Sequence, residues 1–190
     1  MDRDYKKYRW FFTSSGKLVI GGKSAEQNEE IMERIKNEDM VMHTSSPGSP
    51  FCIIKKPNNE DIEECASYNA CFSQEWKRGK KTSEVHIFSG KQVVKSGCMK
   101  TGTFGIVGAV KKKKVVLALT LCFQEKTLRA VPLKTADKQG MLIITPGRIE
   151  KEKAAEKILS LLKESFNVAV SKEDILSAIP SGGFEIKTVN

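Results

Sequence analysis

Gly22-Lys23-Ser24 is the first place in the chain where residue types suggest phosphate chemistry. The phosphate loop of nucleotide hydrolases needs a glycine, four residues, then Gly-Lys-Ser/Thr, so that free backbone amides wrap the anion. Lys17 stands where the first glycine is required, and Leu18-Val19-Ile20 reads as a strand rather than a loop of free amides. The tripeptide is therefore a turn entering a helix, and nucleotide hydrolysis is excluded. Gly102, Gly105 and Gly108 likewise lack the dinucleotide spacing and the helix that should follow it, which points to a bend or to close packing. Only His43 and His86 could serve as imidazole bases, and neither sits in a nucleophile elbow. His86 lies between Val85 and Ile87 and reads as a strand residue turned outward. His43 closes the short strand Met40–His43 and opens the loop Ser45-Ser46-Pro47-Gly48-Ser49, whose hydroxyls and amides suit a phosphate. A ligand-facing role and a structural hydrogen bond both remain open for it. The cysteines, Cys52, Cys65, Cys71, Cys98 and Cys122, form no C-x-x-C pair, and with the histidines they match no zinc knuckle. Reduced thiols, no metal and no cofactor are expected. Without a carboxylate cluster for magnesium, the sequence reads as a non-enzyme.

The elements that must position these residues follow from periodicity. Arg9–Thr13 and Lys17–Gly21 flank Ser14-Ser15-Gly16 as a β-hairpin. Ser24 with Gln27 forms a capping box opening a helix to about Lys36, with Ile31, Met32 and Ile35 on its apolar stripe. Asn28 falls on that stripe one turn earlier, so it must pin a neighbouring loop or face a site. Phe51–Ile54 is a strand. A second helix is expected from Asn59 to Lys77, ended by Gly79, with Ile62, Cys65, Ala66, Asn69, Phe72, Ser73 and Trp76 inward. Glu84–Phe88 alternates as a strand. Phe104–Val110 and Val115–Phe123 read as strands joined at Lys111, Lys112, Lys113 and Lys114, expected to be a hairpin tip because four lysines cannot be buried. Strands over Leu128–Leu133 and Met141–Thr145 come next, then a helix from Glu150 to Ser165. Ser171 and Asp174 cap a short helix, and Phe184–Val189 closes the chain as a strand. The fold class is α+β, a mainly antiparallel sheet with packed helices. Residues 1–145 are expected to form the binding domain, and 146–190 a helical extension packed on it.

Charge adds a partner class. The formal net charge is +9, yet its distribution is uneven. Between Trp76 and Lys114 lie Lys77, Arg78, Lys80, Lys81, Lys91, Lys95, Lys100 and the four-lysine run, against the single acid Glu84. The rest of the chain is close to neutral. Such asymmetry points to a polyanion. With 7 % aromatic residues and no aromatic strand of the RNP type, backbone or shape reading is favoured over base stacking. No apolar run is long enough to span a bilayer and no signal-like stretch follows the charged start, so the expected location is cytoplasmic.

The run Trp10-Phe-Phe-Thr-Ser-Ser-Gly-Lys-Leu-Val-Ile-Gly-Gly-Lys-Ser-Ala-Glu-Gln-Asn-Glu29 resembles the opening of the NFACT-R module of the ribosome quality-control proteins RqcH and NEMF. Asp39–His43, Gly48, the Ala66–Trp76 helix with Ser73, Gln92-Val93, Gly102–Phe104 and Gly108 extend the likeness, which covers about residues 8–123. Residues 146–190 resemble the tail of archaeal-type members, here as a small stand-alone protein. The resemblance implies a non-catalytic module that contacts ribosomal RNA of the large subunit or tRNA. By motif position it places Lys23, Gln27, Asn28, His43, Gly48 and Ser73 on characteristic residues. Ser45, Ser46 and Ser49 of the loop and the lysines of the basic window complete the expected nucleic-acid site. DNA binding, a nuclease built around His43, and a protein adaptor using the C-terminal helix are the alternatives. The family's N-terminal domain, helix-hairpin-helix segment and coiled coil have no counterpart in these residues.

Overall fold

A computed structural model describes residues 3–136 and 139–189. Trp10-Phe11-Phe12 and Leu18-Val19-Ile20 are β-formers on either side of a turn in which Gly16 takes a positive φ of 81°. They pair as β1 (Arg9–Phe12) and β2 (Leu18–Gly21), with Trp10 opposite Ile20. Four more strands join this hairpin: β3 (Met40–Thr44), β4 (Cys52–Ile54), β5 (Thr82–Ser89) and β8 (Lys111–Val116). The sheet is antiparallel throughout, in the order β1-β2-β4-β3-β5-β8. Both its faces are covered. Helix α1 (Ala25–Met32) packs Ile31 and Met32 against Val41, Ile53 and Phe88 on one face. Helix α2 (Asn59–Cys71) packs Cys65 and Tyr68 against Phe11, Met42, Ile54 and Val85 on the other. Each fully buried side chain of this kind contributes roughly 1.5–3 kcal/mol relative to exposure.

A second antiparallel sheet runs in the order β10-β9-β11-β12, from Leu119–Gln124 (β9), Thr127–Pro132 (β10), Leu142–Ile149 (β11) and Phe184–Thr188 (β12). After the short helix α4 (Leu133–Ala136), helices α5 (Lys151–Phe166) and α6 (Lys172–Ala178) pack on it through Ala154, Ile158, Leu162 and Ile175. Ser171 and Asp174 form the expected capping box of α6. β11 continues across positions 145 and 146, so residues on both sides of the expected domain boundary share one sheet and one core. Trp76 belongs to that core, with Leu119, Leu142, Ile158 and Phe184. It stacks 5.6 Å from Phe184 and donates its indole N–H to the Gly183 carbonyl at 3.1 Å.

Four local expectations are corrected. Helix 24–36 is shorter, ending at Met32. The helix expected over 59–77 breaks at Phe72, where Ser73 turns extended (φ −95°, ψ 174°) and its hydroxyl accepts the Glu75 N–H to start a separate turn, α3 (Gln74–Lys77). Local capping by serine competes with helix continuation. Residues 111–114 are no hairpin tip but the body of β8, with Lys111 opposite Ile87 and Lys114 opposite Glu84. β8 lies at the sheet's edge, so its lysines keep their ammonium groups in water while their backbones pair with β5. The strand expected over 104–110 shrinks to Gly105–Ile106 (β7), paired with Val93–Val94 (β6).

Candidate nucleic-acid interface

Four chain segments meet at one groove of about 320 Å3: β1, the turn into α1, the loop between β3 and β4, and the kink between α2 and α3. From the turn come Gly22, Lys23, Ser24 and Asn28; from the loop, Gly48, Ser49 and Pro50; from the kink, Phe72, Ser73, Gln74 and Lys77. Arg9 of β1 and Ser181, beyond α6, complete the walls. Six residues expected from sequence thus converge: Lys23, Asn28, Gly48, Ser49, Ser73 and Lys77.

Hydrogen bonds fix these walls. Asn28 accepts the Phe51 N–H at 3.1 Å, tying α1 to the loop while still lining the groove. A Cβ on Gly22 would overlap the Asn28 carboxamide oxygen, so only glycine allows this approach. The Ser49 hydroxyl accepts the Thr44 N–H at 3.0 Å, and Gly48 turns at φ 91° against Gln74. Asn69, inside α2, donates to the carbonyls of Met42 (3.2 Å) and Pro50 (2.7 Å), clamping both ends of the loop. Ser73 donates to the Ala70 carbonyl at 2.7 Å. Gln27 closes the helix start: its side chain accepts the Lys23 N–H at 3.0 Å, while Ser24 accepts the Gln27 N–H at 3.3 Å. The cap therefore reaches back to the Lys23 amide rather than to that of Ser24.

The groove is electropositive at its inner end. Arg9, Lys23 and Phe72 also line an adjoining cavity of about 210 Å3 with Lys6, Arg129 and Ser177. The Arg9 guanidinium lies 4.9 Å over the Phe72 ring, and that of Arg129 4.6 Å over Trp10. Arg129 is held by its Nε–H donating to the Trp10 carbonyl at 3.1 Å. Arg9 Nε is buried with no hydrogen-bond partner among the described residues. Burial, then the Arg9 and Arg129 charges, lower the pKa of Lys23. Among the described residues no carboxylate forms an ion pair with Arg9, Lys23 or Arg129, whereas Lys7, Lys95, Lys113 and Lys172 all have acidic partners. Like charges crowded without counter-charge are what an anion site requires.

The remaining expected residues lie elsewhere. His43 donates its Nδ1–H to the Thr44 carbonyl at 2.7 Å and stacks on Phe51, 4.5 Å away, and burial chiefly lowers its pKa. Ser45 pairs its N–H with the Glu84 carbonyl, and the Ser46 carbonyl accepts the Thr44 hydroxyl. The basic window is divided by β5: Lys77, Arg78, Lys80 and Lys81 precede it, while Lys91, Lys95 and Lys100 follow it, roughly 25 Å away along an extended strand. Arg78 pairs with Glu75, Lys81 with Glu185, Lys95 with Glu29, Lys112 with Glu84 and Lys113 with Glu63. Lys112 and Lys114 alternate with Lys111 and Lys113 across the two faces of β8. No group of three His, Cys, Asp or Glu side chains that could hold a metal occurs among the described residues. Nor is any described helix long and apolar enough to cross a membrane.

Residues 7–108 match the family model of the NFACT protein RNA binding domain. The chain belongs to this family. Over 96 % of its length this NFACT-R chain is 28 % identical to the archaeal Rqc2 homolog aRqcH of Methanocaldococcus jannaschii, of which it covers 29 %. It is 32 % identical over 55 % of its length to the human ribosome quality control complex subunit NEMF, covering 10 % of that protein. The NFACT-R chain thus spans less than a third of these relatives. The C-terminal part of the fibronectin/fibrinogen-binding protein of Streptococcus suis shares its fold, with a TM-score of 0.52 at 21 % identity, covering 57 % of this chain and 44 % of that one. The family match includes Arg9, Lys23, Asn28, Gly48, Ser49, Ser73 and Lys77 but ends before Arg129 and Ser181. Sequence reasoning missed Arg129, one charge within an apolar strand, and Arg9, which opens β1 just after Lys6 and Lys7. An arginine on a half-buried strand was the available signal.

Proposed function

We propose that this chain is a non-catalytic, cytoplasmic module that binds structured RNA, of the large ribosomal subunit or tRNA, in ribosome-associated quality control. The groove between α1, the 45–50 loop and α3 is the contact surface. One observation carries this reading: Arg9, Lys23 and Lys77, without acidic partners among the described residues, line one cleft with the Ser24, Ser49 and Ser73 positions. Cations and small polar groups on a fixed scaffold meet phosphates and set register, and they carry little base information. Lys111, Lys114, Lys91 and Lys100, exposed and without ion pairs among the described residues, extend the attraction as outlying charges. His43, Ser45 and Ser46 hold the loop in shape for this contact.

Titration of purified large subunits and tRNA across about 50–200 mM salt tests the proposal. Affinity should fall steeply with salt, and Lys23→Gln with Lys77→Gln should flatten the slope of log K against log salt by about 0.7–0.9 per phosphate contact removed. Salt-independent binding, or an unchanged slope in the double variant, would refute the groove as the contact surface. Duplex DNA is the competitor of choice. If it displaces tRNA at equal concentration, the polymer is not RNA, because A-form shape and 2′-hydroxyls are what an RNA binder reads.

A further inference from the structure

We infer that the inner end of the groove is a discrete site for a doubly charged phosphate group, of the kind carried at the end of an RNA strand. Arg9, Lys23 and Arg129 line one cavity of about 210 Å3 together with Lys6. Arg9, Lys23 and Arg129 come from β1, the turn into α1 and β10, far apart in sequence, so the fold rather than a single basic run brings them together. The guanidinium planes are set by Phe72 and Trp10, and Arg9 keeps a buried Nε–H with no partner among the described residues. Fixed, planar donors of this type bind phosphate oxygens bidentately.

The charge count selects the ligand. A backbone phosphodiester carries one negative charge, which leaves most of this cluster uncompensated. A phosphate monoester carries about −1.5 to −2 at neutral pH and offers three strong acceptor oxygens. The cavity suits a group of that size and is lined in part by Ser177 of α6, outside the region matched by the family model. The inference rests on the RNA reading above only for the polymer that delivers the phosphate. The same chemistry is supplied by free inorganic phosphate.

Two measurements separate these cases. In the first, one short RNA is compared with 5′-phosphate, 3′-phosphate or unmodified ends, at constant salt, by fluorescence anisotropy. A phosphorylated end should bind about tenfold tighter than the unmodified strand, the worth of one or two charge-assisted hydrogen bonds. In the second, thermal unfolding of the intact protein is followed in inorganic phosphate and in chloride of equal ionic strength. Phosphate should raise the midpoint. Lys23→Gln, at an exposed position, should raise the midpoint in chloride by relieving repulsion from Arg9 and Arg129, and should abolish the response to phosphate. A phosphate response without preference for either phosphorylated end supports the site and assigns it to the free anion. Equal affinity for all ends together with no phosphate-specific midpoint shift overturns the inference, while salt-dependent binding of every RNA leaves the groove reading standing. A Lys23→Gln protein that is less stable in chloride, or still responds to phosphate, overturns it as well.

Discussion

Phe184→Ala tests whether the C-terminal elements are part of the scaffold that holds the groove. Phe184 is fully buried, and its ring packs against Trp76, which α3 carries one position before the groove residue Lys77. Around it lie Leu119, Leu142, Ile144, Ile158 and Ala178, contributed by β9 and β11 of the second sheet and by α5 and α6. Removing a buried phenyl ring costs about 3–5 kcal/mol, the lost transfer energy plus a cavity the neighbours fill only in part. For a chain of this size each kcal/mol shifts the melting midpoint by about 2–4 °C, so a fall of roughly 6–20 °C is expected. Urea unfolding read by circular dichroism and by tryptophan fluorescence supplies the assay. The chain has two tryptophans, Trp10 in the first sheet and Trp76 in the second core, so Trp76→Phe and Trp10→Phe backgrounds report the halves separately. Because β11 runs from residue 142 to 149, through a register shift between Pro146 and Ile149, and Trp76 is hydrogen-bonded to Gly183, both probes should move together in one transition. A loss below about 1 kcal/mol, or an early Trp76 transition with Trp10 unaffected, would refute the shared core.

Asp61→Asn should destabilise by about 1–3 kcal/mol, because the carboxylate accepts the Thr13 and Ser15 hydroxyls, both at 2.6 Å, and the Asn58 N–H at 2.9 Å. Burial raises the Asp61 pKa, but those hydrogen bonds outweigh it and the net shift is downward, so the stability it contributes is present above the unfolded carboxylate pKa and lost as pH falls through the folded one; urea midpoints from neutral pH into the acid range should show this slope in the wild type and lose it in the variant. Gly22→Ala should cost about 1–3 kcal/mol, since its Cβ would lie 2.8 Å from the Asn28 backbone nitrogen and displace the carboxamide that holds Phe51, and RNA affinity measured on the still-folded variant should fall with it. Lys111→Gln with Lys114→Gln should leave stability within about 0.5 kcal/mol and reduce RNA affinity less than Lys23→Gln with Lys77→Gln, as gel-shift or anisotropy titration of both doubles would read.

Elements with strong local signals were legible from sequence. Ser14-Ser15-Gly16 between β-formers gave the β1–β2 hairpin, and Ser171 with Asp174 gave the start of α6, because turn and cap chemistry act within a few residues. Asn28 and Asn69 were readable as polar residues on apolar stripes; Asn28 proves to do both things left open for it, accepting the Phe51 N–H while lining the groove, and Asn69 bonds the Met42 and Pro50 carbonyls. The lysine run misled for a physical reason: solvation of four ammonium groups says only that the side chains reach water, and an edge strand satisfies that as well as a turn does. Adding up charge along the chain failed similarly, since β5 carries the two ends of the basic window apart and acidic residues of α1, α2 and β12 neutralise several members. The cations that meet without ion-pair partners among the described residues, Arg9, Lys23 and Arg129, lie far apart in sequence, and only Arg9 lies near a basic pair along the chain, Lys6 and Lys7. Their meeting depends on Arg129 of β10 reaching the Trp10 carbonyl, a long-range consequence of the fold. A polyanion site is therefore better sought among isolated arginines on half-buried strands, where desolvation already costs stability and only a ligand offsets it, than among the lysines that dominate the net charge.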